Sequence, residues 1–297
     1  NANFGNPFAW FKDSENLLIK VLPKNRPALL DASKDLPTGP IISNASGTAA
    51  QNRTFPDLLK NRNDELNFEN IATSELHKVH LQGQSKLWKK ADMYGAESFS
   101  PDGKLLLLTT LQKPFSYIVP ASRFPQKTVV TDLTGKPIKT VNETPLTEVL
   151  PKGFSATREG KRNLSWRADK PQSLSYVVAL DAGDPAKQVE FRDEVFLWDA
   201  PFNQAPTSLV KTQQRFGSLI WGSDTLAVVT DNWYNTRNEK TYFFNPSNPA
   251  EKARVVFDRN SQDIYTHPGR FETKRNAFDR KVLAIENNQV FLIGAGH

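Results

Sequence analysis

Apolar runs of five to seven residues recur along the chain, each after the same kind of corner. The corner consists of an aromatic residue, two further residues and an aspartate. Runs of this length with turn residues between them predict β-strands, and the Pro-Asp-Gly of the second corner is typical of a tight turn between two strands. The corners and runs are Trp10–Asp13 before Leu17–Leu22, Phe99–Asp102 before Leu105–Leu111, Trp166–Asp169 before Leu174–Leu180, and Trp221–Asp224 before Leu226–Thr230.

A second hairpin is predicted after three of these corners, which makes four strands per unit. The corners at Trp166 and Trp221 are 55 residues apart, close to the roughly 40–50 residues of one propeller blade. The longer spacings are interpreted as insertions. The predicted second hairpins pair Lys127–Asp132 with Ile138–Val141, Val195–Trp198 with Ser208–Lys211, and Thr241–Phe244 with Arg254–Phe257.

We therefore predict an all-β protein, a β-propeller with about four full blades and one partial blade. A four-stranded sheet cannot cover its own apolar faces, so radial stacking of such sheets buries them. A β-sandwich is the alternative, but it gives no reason for the corner to return once per four strands. The partial blade is Asp263–Gly294, with Lys281–Glu286 and Gln289–Ile293 as its hairpin. Residues 1–297 thus form a single propeller region that we expect to be incomplete.

The largest predicted insertion lies within the first blade, at residues 31–74. Its first part, Asp31–Gln51, is rich in Pro, Ser, Gly and Ala, which is typical of an extended loop. The second part predicts a helical segment that begins near Phe55 with Thr54 as its N-cap. Such a segment either binds a partner or packs over the side of its own blade. The apolar positions at helical spacing are Phe55, Leu58, Leu59, Leu66, Phe68 and Ile71.

Composition narrows the possible functions. The chain has 297 residues, 38 Lys and Arg against 32 Asp and Glu, and no cysteine, which excludes disulfides and thiol nucleophiles. The net charge of +6 is spread along the chain without a dense basic block, so nucleic-acid binding is disfavoured. No apolar run approaches the roughly 18 residues that a membrane helix needs.

The sequence lacks the Gly-x-Ser-x-Gly motif of an α/β-hydrolase nucleophile. His77 and His80 are three residues apart on a predicted strand, so they face opposite sides and do not form a metal site. One cationic cluster stands out where a loop enters the third unit. Its guanidinium groups could bind an acidic ligand, or they could be solvated or pair with Asp169, Asp181 and Asp184. The cluster consists of Arg158, Lys161, Arg162 and Arg167.

Several motifs in colinear order make the chain resemble the β-propeller portion of the prolyl oligopeptidase family, and specifically its glutamyl endopeptidase branch. The resemblance runs from about Phe8 to Gly296. The segments that carry it are Arg53–Lys60, Ala72–Leu76, Lys113–Pro120, Arg123–Pro125, Arg158–Pro171, Asp181–Asp184, Trp233–Arg237, Phe257–Arg259 and Asp263–Tyr265.

The resemblance implies a serine peptidase that cleaves after glutamate, with a propeller that filters access and a C-terminal α/β-hydrolase domain that carries the catalytic residues. None of those catalytic residues has a counterpart in this chain, which we expect to be inert by itself. A glutamate-specific peptidase needs a cation for the substrate carboxylate, and the candidates are Arg158, Arg162 and Arg237. We expect a peptide substrate, no metal and no cofactor. The secreted bacterial members of the family favour a periplasmic location.

A second hypothesis comes from a different class of protein. The chain could be a non-enzymatic, TolB-like propeller that binds a protein partner through the insertion at residues 31–74. A gene that continues into a domain with Gly-x-Ser-x-Gly would favour the peptidase.

Overall fold

The computed structural model of the protein describes residues 5–31 and 55–294. The chain divides into two compact units. Unit 1 comprises residues 1–98 and 106–149, and unit 2 comprises residues 99–105 and 150–297. In the described ranges the regular structure is almost entirely β-strand and includes four four-stranded sheets, in each of which the strands are neighbours in chain order.

Most of unit 1 is built from two of these sheets. Sheet 1 contains β1 (Phe8–Trp10), β2 (Asn16–Val21), β3 (Ser74–His80) and β4 (Ser85–Asp92), and sheet 2 contains β5 (Tyr94–Phe99), β6 (Leu105–Leu111), β7 (Gln126–Asp132) and β8 (Pro137–Thr144). In sheet 1, β2 pairs antiparallel with both β1 and β3, and Leu17 lies opposite Val79.

Unit 2 contains the other two four-stranded sheets, which pack face to face. Val177 and Val195 of sheet 3 share one buried apolar cluster with Trp221, Val229 and Tyr242 of sheet 4. Sheet 3 contains β9 (Arg162–Trp166), β10 (Ser173–Ala179), β11 (Asp193–Asp199) and β12 (Thr207–Thr212), and sheet 4 contains β13 (Arg215–Trp221), β14 (Ala227–Trp233), β15 (Asn238–Phe244) and β16 (Arg254–Asn260).

The aromatic corners lie where they are predicted, between the first and second strands of each sheet. The aspartates of the first two corners stabilise their turns by accepting hydrogen bonds from nearby backbone N–H groups. Asp13 accepts from the N–H of Asn16 at 2.9 Å, and Asp102 accepts from the N–H of Lys104 at 3.1 Å. The chain is therefore an all-β protein with the four-stranded blades of a β-propeller.

The region after β16 contains only short strands, arranged in three two-stranded sheets. The predicted last hairpin is present but shorter than expected, with Ile285 opposite Val290. Its first part pairs elsewhere, since Lys281–Leu283 lies against Thr273–Arg275. These strands are β17 (Arg270–Phe271), β18 (Thr273–Arg275), β19 (Lys281–Leu283), β20 (Ile285–Glu286), β21 (Gln289–Val290) and β22 (Leu292–Ile293).

In its described part, the insertion between β2 and β3 contains one helix, α1 (Arg62–Ala72). The prediction that it begins near Phe55 is wrong. Asp57 adopts a left-handed φ of 56°, which interrupts a helix, and Asn61 is the N-cap, with its side chain accepting from the N–H of Asp64 at 2.9 Å. The proposed cap Thr54 and nearly all of the predicted loop Asp31–Gln51 lie outside the described residues.

The helix packs against the β6–β7 connection of sheet 2. The Phe68 ring lies 5.0 Å from that of Phe115 and 5.6 Å from that of Phe124, both edge-on. Ala72 is buried in the same cluster. The apolar spacing of α1 therefore serves the core of unit 1 rather than the side of its own sheet.

Candidate functional site

Two buried carboxylates anchor a network of arginines in unit 2. Oδ2 of Asp181 accepts hydrogen bonds from Nη1 of Arg192 at 2.8 Å and Nη2 of Arg215 at 2.7 Å. Oδ1 of Asp193 accepts from Nη2 of Arg162 at 2.6 Å and Nη1 of Arg215 at 3.1 Å. Both aspartates are wholly buried. Charge-assisted bonds thus join the strand ends of sheets 3 and 4.

The strand order explains why these charges meet. Arg162 and Arg215 are the first residues of β9 and β13, and Asp193 is the first residue of β11. Asp181 lies two residues after the end of β10. Because β10 and β11 are antiparallel, the end of β10 lies beside the start of β11, with Ala179 opposite Asp193. Burial alone would raise the pKa of Asp181, but its hydrogen bonds from Arg215 and Arg192 outweigh burial and lower that pKa. Asp181 is therefore ionised.

Arg158 lies beside this network without a carboxylate of its own. Its Nη1 donates to the carbonyl of Glu159 at 2.9 Å, and its Nη2 donates to the carbonyl of Lys161 at 2.5 Å. Burial lowers the pKa of Arg158, and the positive charge of Arg162 lowers it further. Within residues 5–31 and 55–294, no carboxylate forms a salt bridge with Arg158. Its charge is thus available to a ligand.

Arg162 also retains an unused donor. Its side chain is 12% exposed, and its Nη2 donates a hydrogen bond to Asp193. The Nε–H is buried and has no hydrogen-bond partner in the described part of the chain. An unsatisfied buried donor is costly, so a ligand oxygen that reached it would be bound favourably. The structure therefore brings together two of the three predicted arginines, Arg158 and Arg162.

Arg237 occupies a different place, on the turn between β14 and β15. It has a left-handed φ of 55°, and its guanidinium carbon lies 3.7 Å from the centroid of the Tyr234 ring. That ring stacks in turn on Phe154 at 4.2 Å between centroids. Arg237 forms the end of this surface stack. Neither Arg158 nor Arg162 is a member of the stack.

The other two cations of the predicted cluster are already engaged. Arg167 forms a bidentate pair with Asp169, with both bonds at 2.8 Å, and its guanidinium lies over the Trp221 ring. Nζ of Lys161 lies 4.2 Å from the centroid of the Trp198 ring. Arg167 therefore pairs with a carboxylate rather than remaining available to a ligand. Asp181, another carboxylate that could have paired with the cluster, instead pairs with Arg192 and Arg215, which lie outside it.

Three members of the network, Arg192, Asp193 and Arg215, are absent from the sequence-based prediction. The available signal is positional, because each is a charged residue at or beside the start of a strand that carries apolar residues further along. Such a residue has little room to reach solvent, so it needs a partner of opposite charge. The identity of that partner depends on strand pairing, which the local pattern does not contain.

Within residues 5–31 and 55–294, no group of three or more His, Asp or Glu side chains is arranged to hold a metal ion. The same ranges contain no helix with the length and apolar character needed to cross a bilayer.

Known sequences match this chain from end to end. A protein of Oryza sativa subsp. japonica named "Probable glutamyl endopeptidase, chloroplastic" is 36% identical over 304 residues, which cover 100% of this chain and 32% of that protein. The protein of the same name from Arabidopsis thaliana is 35% identical over 299 residues, covering 97% and 31%. The chain thus spans about a third of the length of these relatives. No protein-family profile matches it.

Among solved structures, an acylaminoacyl peptidase in complex with Z-Gly-Gly-Phe-chloromethyl ketone aligns with 91% of this chain and 33% of its own. The TM-score is 0.42 and the sequence identity is 11%.

Proposed function

We propose that this chain, which is 36% and 35% identical to two proteins named as probable glutamyl endopeptidases, is the β-propeller part of a serine peptidase of the prolyl oligopeptidase family and controls access of peptides to the catalytic domain. The whole enzyme would cleave after glutamate. The serine nucleophile and its partners would come from an α/β-hydrolase domain of the same protein, outside the 297 residues of this chain.

The observation that best supports an acidic substrate is the charge imbalance of the arginine network. Four guanidinium groups face two carboxylates there, those of Asp181 and Asp193. Among residues 5–31 and 55–294, Arg158 finds only backbone carbonyls as hydrogen-bond acceptors, and the Nε–H of Arg162 has no partner. Guanidinium groups in a partly buried setting bind carboxylates strongly, because less water competes for them. The network is therefore suited to attract a glutamate side chain.

The propeller architecture supports a gating role. In a propeller the inner strands of the four-stranded sheets, here β9 and β13, would line the space that a peptide enters. A folded protein would be excluded by size, whereas an extended segment with acidic side chains would be admitted and drawn towards Arg158 and Arg162. This role accounts for a propeller within a peptidase without assigning it a chemical step.

The test uses the full-length parent enzyme and two peptides that differ only in Glu or Gln at the cleavage position. Arg158→Ala and Arg162→Ala should each lower kcat/KM for the Glu peptide about tenfold or more and leave the Gln peptide nearly unchanged. Arg237→Ala tests the third candidate in the same way. Arg254→Ala, which removes an exposed arginine on β16, is the control for loss of charge. Equal losses on both peptides would exclude these residues from glutamate recognition.

A further inference from the structure

Two asparagines on one face of α1 bind the segment that follows β2. Asn67 pairs with both backbone groups of Leu30, since its Oδ1 accepts from the N–H at 2.8 Å and its Nδ2 donates to the C=O at 2.9 Å. Asn70 lies on the same face because it is three residues further along the helix. Its Nδ2 donates to the carbonyl of Pro27 at 2.7 Å. Residues 23–30 are therefore fixed along α1 by side-chain bonds to their backbone.

A cavity of about 490 Å³ lies between this segment and α1, within unit 1. Its volume is inside the roughly 300–1,000 Å³ range of ligand pockets. Leu30 of the segment and Leu66 of α1 line the cavity, and they are 45% and 38% exposed. Pro23, Ala28 and Ala91 add to the apolar lining. An apolar group that entered the cavity would remove surface of both leucines from water, which favours binding.

One residue of each charge also lines the cavity, Arg26 of the segment and Glu69 of α1. Arg26 donates its Nε–H to Oδ1 of Asn70 at 3.1 Å. Oε2 of Glu69 accepts a hydrogen bond from Nζ of Lys113 at 2.6 Å. Among residues 5–31 and 55–294, Nη1 and Nη2 of Arg26 and Oε1 of Glu69 have no hydrogen-bond or ion-pair partner. The cavity thus combines unused cationic donors and an unused anionic acceptor with apolar walls.

This combination distinguishes between classes of small molecule. A simple carboxylic acid would bind Arg26 but leave Glu69 without a partner, and a simple amine would do the reverse. A free α-amino acid carries a carboxylate and an ammonium on the same carbon, so it can bind both residues at once. An apolar side chain on that carbon would cover the exposed leucines.

We propose that the cavity between residues 23–30 and α1 binds a free α-amino acid with an apolar side chain of about the size of leucine. Its carboxylate would accept hydrogen bonds from Nη1 or Nη2 of Arg26, and its ammonium would donate to Oε1 of Glu69. Its side chain would lie against Leu30 and Leu66. The proposal is independent of the proposed function, because the cavity shares no residue with the arginine network of unit 2.

The first test measures binding of L-leucine to the unmodified 297-residue chain by titration calorimetry at about pH 7, where the carboxylate and the ammonium are both ionised. Leucine should bind with a Kd of about 1 mM or lower. L-Leucinamide lacks the carboxylate and 4-methylpentanoate lacks the ammonium, so each should bind at least about fivefold more weakly. Glycine keeps both charges but lacks the side chain, and it should bind at least about tenfold more weakly.

Variants then assign each group of the ligand to a residue. Arg26→Met should make leucine and leucinamide bind equally, and Glu69→Gln should make leucine and 4-methylpentanoate bind equally. Arg62→Met removes an exposed charge of α1 outside the cavity and should retain both preferences. Ala91→Leu keeps both charged residues but fills part of the cavity, so it should weaken leucine binding at least about tenfold.

Four results would overturn the proposal. They are the absence of saturable leucine binding, equal binding of leucine and either singly charged analogue, wild-type leucine affinity in A91L, and equal effects of R26M and R62M. Circular dichroism identifies a variant that has failed to fold. The comparison of ligands uses the unmodified chain, so it decides the question even if a variant does not fold.

Discussion

The Tyr242 hydroxyl donates a hydrogen bond to Oδ2 of Asp231 at 2.8 Å, inside sheet 4. The backbone N–H of Gln214 donates to the same oxygen at 2.9 Å. The other oxygen, Oδ1, is buried and has no partner in the described part of the chain. Burial raises the pKa of Asp231 to about 6, although the Tyr242 bond lowers it. The folded protein therefore holds a proton on Asp231 that the unfolded chain releases at lower pH.

This raised pKa predicts a specific dependence of stability on pH. The folded state binds the Asp231 proton more tightly, so its stabilising effect is complete below the unfolded pKa near 3.8 and is lost as pH rises through about 6. Asp231→Asn does not titrate. We expect the free energy of unfolding of the wild type, relative to D231N, to fall by about 2.4 kcal/mol between about pH 4 and about pH 7. Urea unfolding across this range measures it.

Tyr242→Phe provides the matched control for this titration. Loss of the hydroxyl removes a hydrogen bond that favours the ionised carboxylate, so the pKa of Asp231 should rise further. The pH-dependent loss of stability should then shift to higher pH. An unchanged midpoint in Y242F, or the same pH dependence in D231N as in the wild type, would show that Asp231 does not control it.

Asp193→Ala should destabilise the protein strongly. Asp193 is fully buried and accepts bonds from Arg162, from Arg215 and from the N–H of Phe216. Its removal leaves two guanidinium groups short of a buried counter-charge, which costs about 3–5 kcal/mol. The exposed Arg275–Asp279 pair is the comparison, and Asp279→Ala should cost less than about 1 kcal/mol. Similar shifts in urea midpoint for both variants would contradict this ranking.

Local sequence patterns are sufficient to predict most of the blades. The corner Phe99–Asp102 carries its own turn chemistry, and the strand Leu105–Leu111 has the same bounds in the structure. The helix start was predicted wrongly because Phe55 and Leu58 fit a helical spacing, while the left-handed backbone at Asp57 interrupts it. Apolar spacing shows which side of a segment is buried but does not show where capping begins.

The arginine network was only half predictable. Arg158 and Arg162 are close in sequence, so their proximity is expected. The partner of Arg162 is Asp193, 31 residues away, and this pairing depends on how β9, β10 and β11 align. The pairing of β9 with β10 also contains a β-bulge, because Ser165 lies opposite Ser175 whereas Arg162 lies opposite Val177. Arg162 therefore lies on the face opposite to the one that strict alternation predicts. Local periodicity therefore cannot predict a site that depends on long-range strand pairing and on irregular strands.

Gly183→Ala should test the loop that holds Asp181 in place. Gly183 has a φ of +75° and donates its N–H to Oδ1 of Asp181, and an added Cβ would lie 2.0 Å from the carbonyl oxygen of Thr157. We expect a loss of more than about 2 kcal/mol in the free energy of unfolding. Gly83→Ala shares the positive φ but has open space, so it should cost only about 1 kcal/mol. Equal losses would mean that the clash is relieved by loop movement.

Asn61→Ala should weaken helix α1 at its start. The Asn61 side chain accepts a hydrogen bond from the Asp64 N–H, and its removal costs about 1 kcal/mol. Asn61→Ser retains an acceptor and should recover most of the loss. Amide hydrogen exchange at Asp64 measures the effect locally. If exchange at Asp64 is the same in N61A as in the wild type, Asn61 is not the functional cap.

Lys20 and Glu97 form a buried ion pair in unit 1, with Nζ and Oε1 2.7 Å apart and side chains 2% and 5% exposed. Removing either charge leaves the other buried without its partner, so Lys20→Met or Glu97→Leu alone should lower the free energy of unfolding by about 3–5 kcal/mol. The double variant replaces the pair with apolar groups and should cost much less than the two single changes together. Additive losses in urea unfolding would refute a direct interaction.

The pH dependence of the Lys20→Met variant separates the charge of Glu97 from the packing of Lys20. Burial raises the pKa of Glu97, and the hydrogen bond and charge of Lys20 oppose that rise. Without Lys20 the folded-state pKa should rise further, so the protonated carboxyl is retained and the cost of K20M is smallest in acid. As the pH increases, the unpaired carboxylate must ionise while buried, and the loss of stability relative to wild type should grow. A loss that stays constant with pH would instead indicate that Lys20 contributes through its alkyl chain alone.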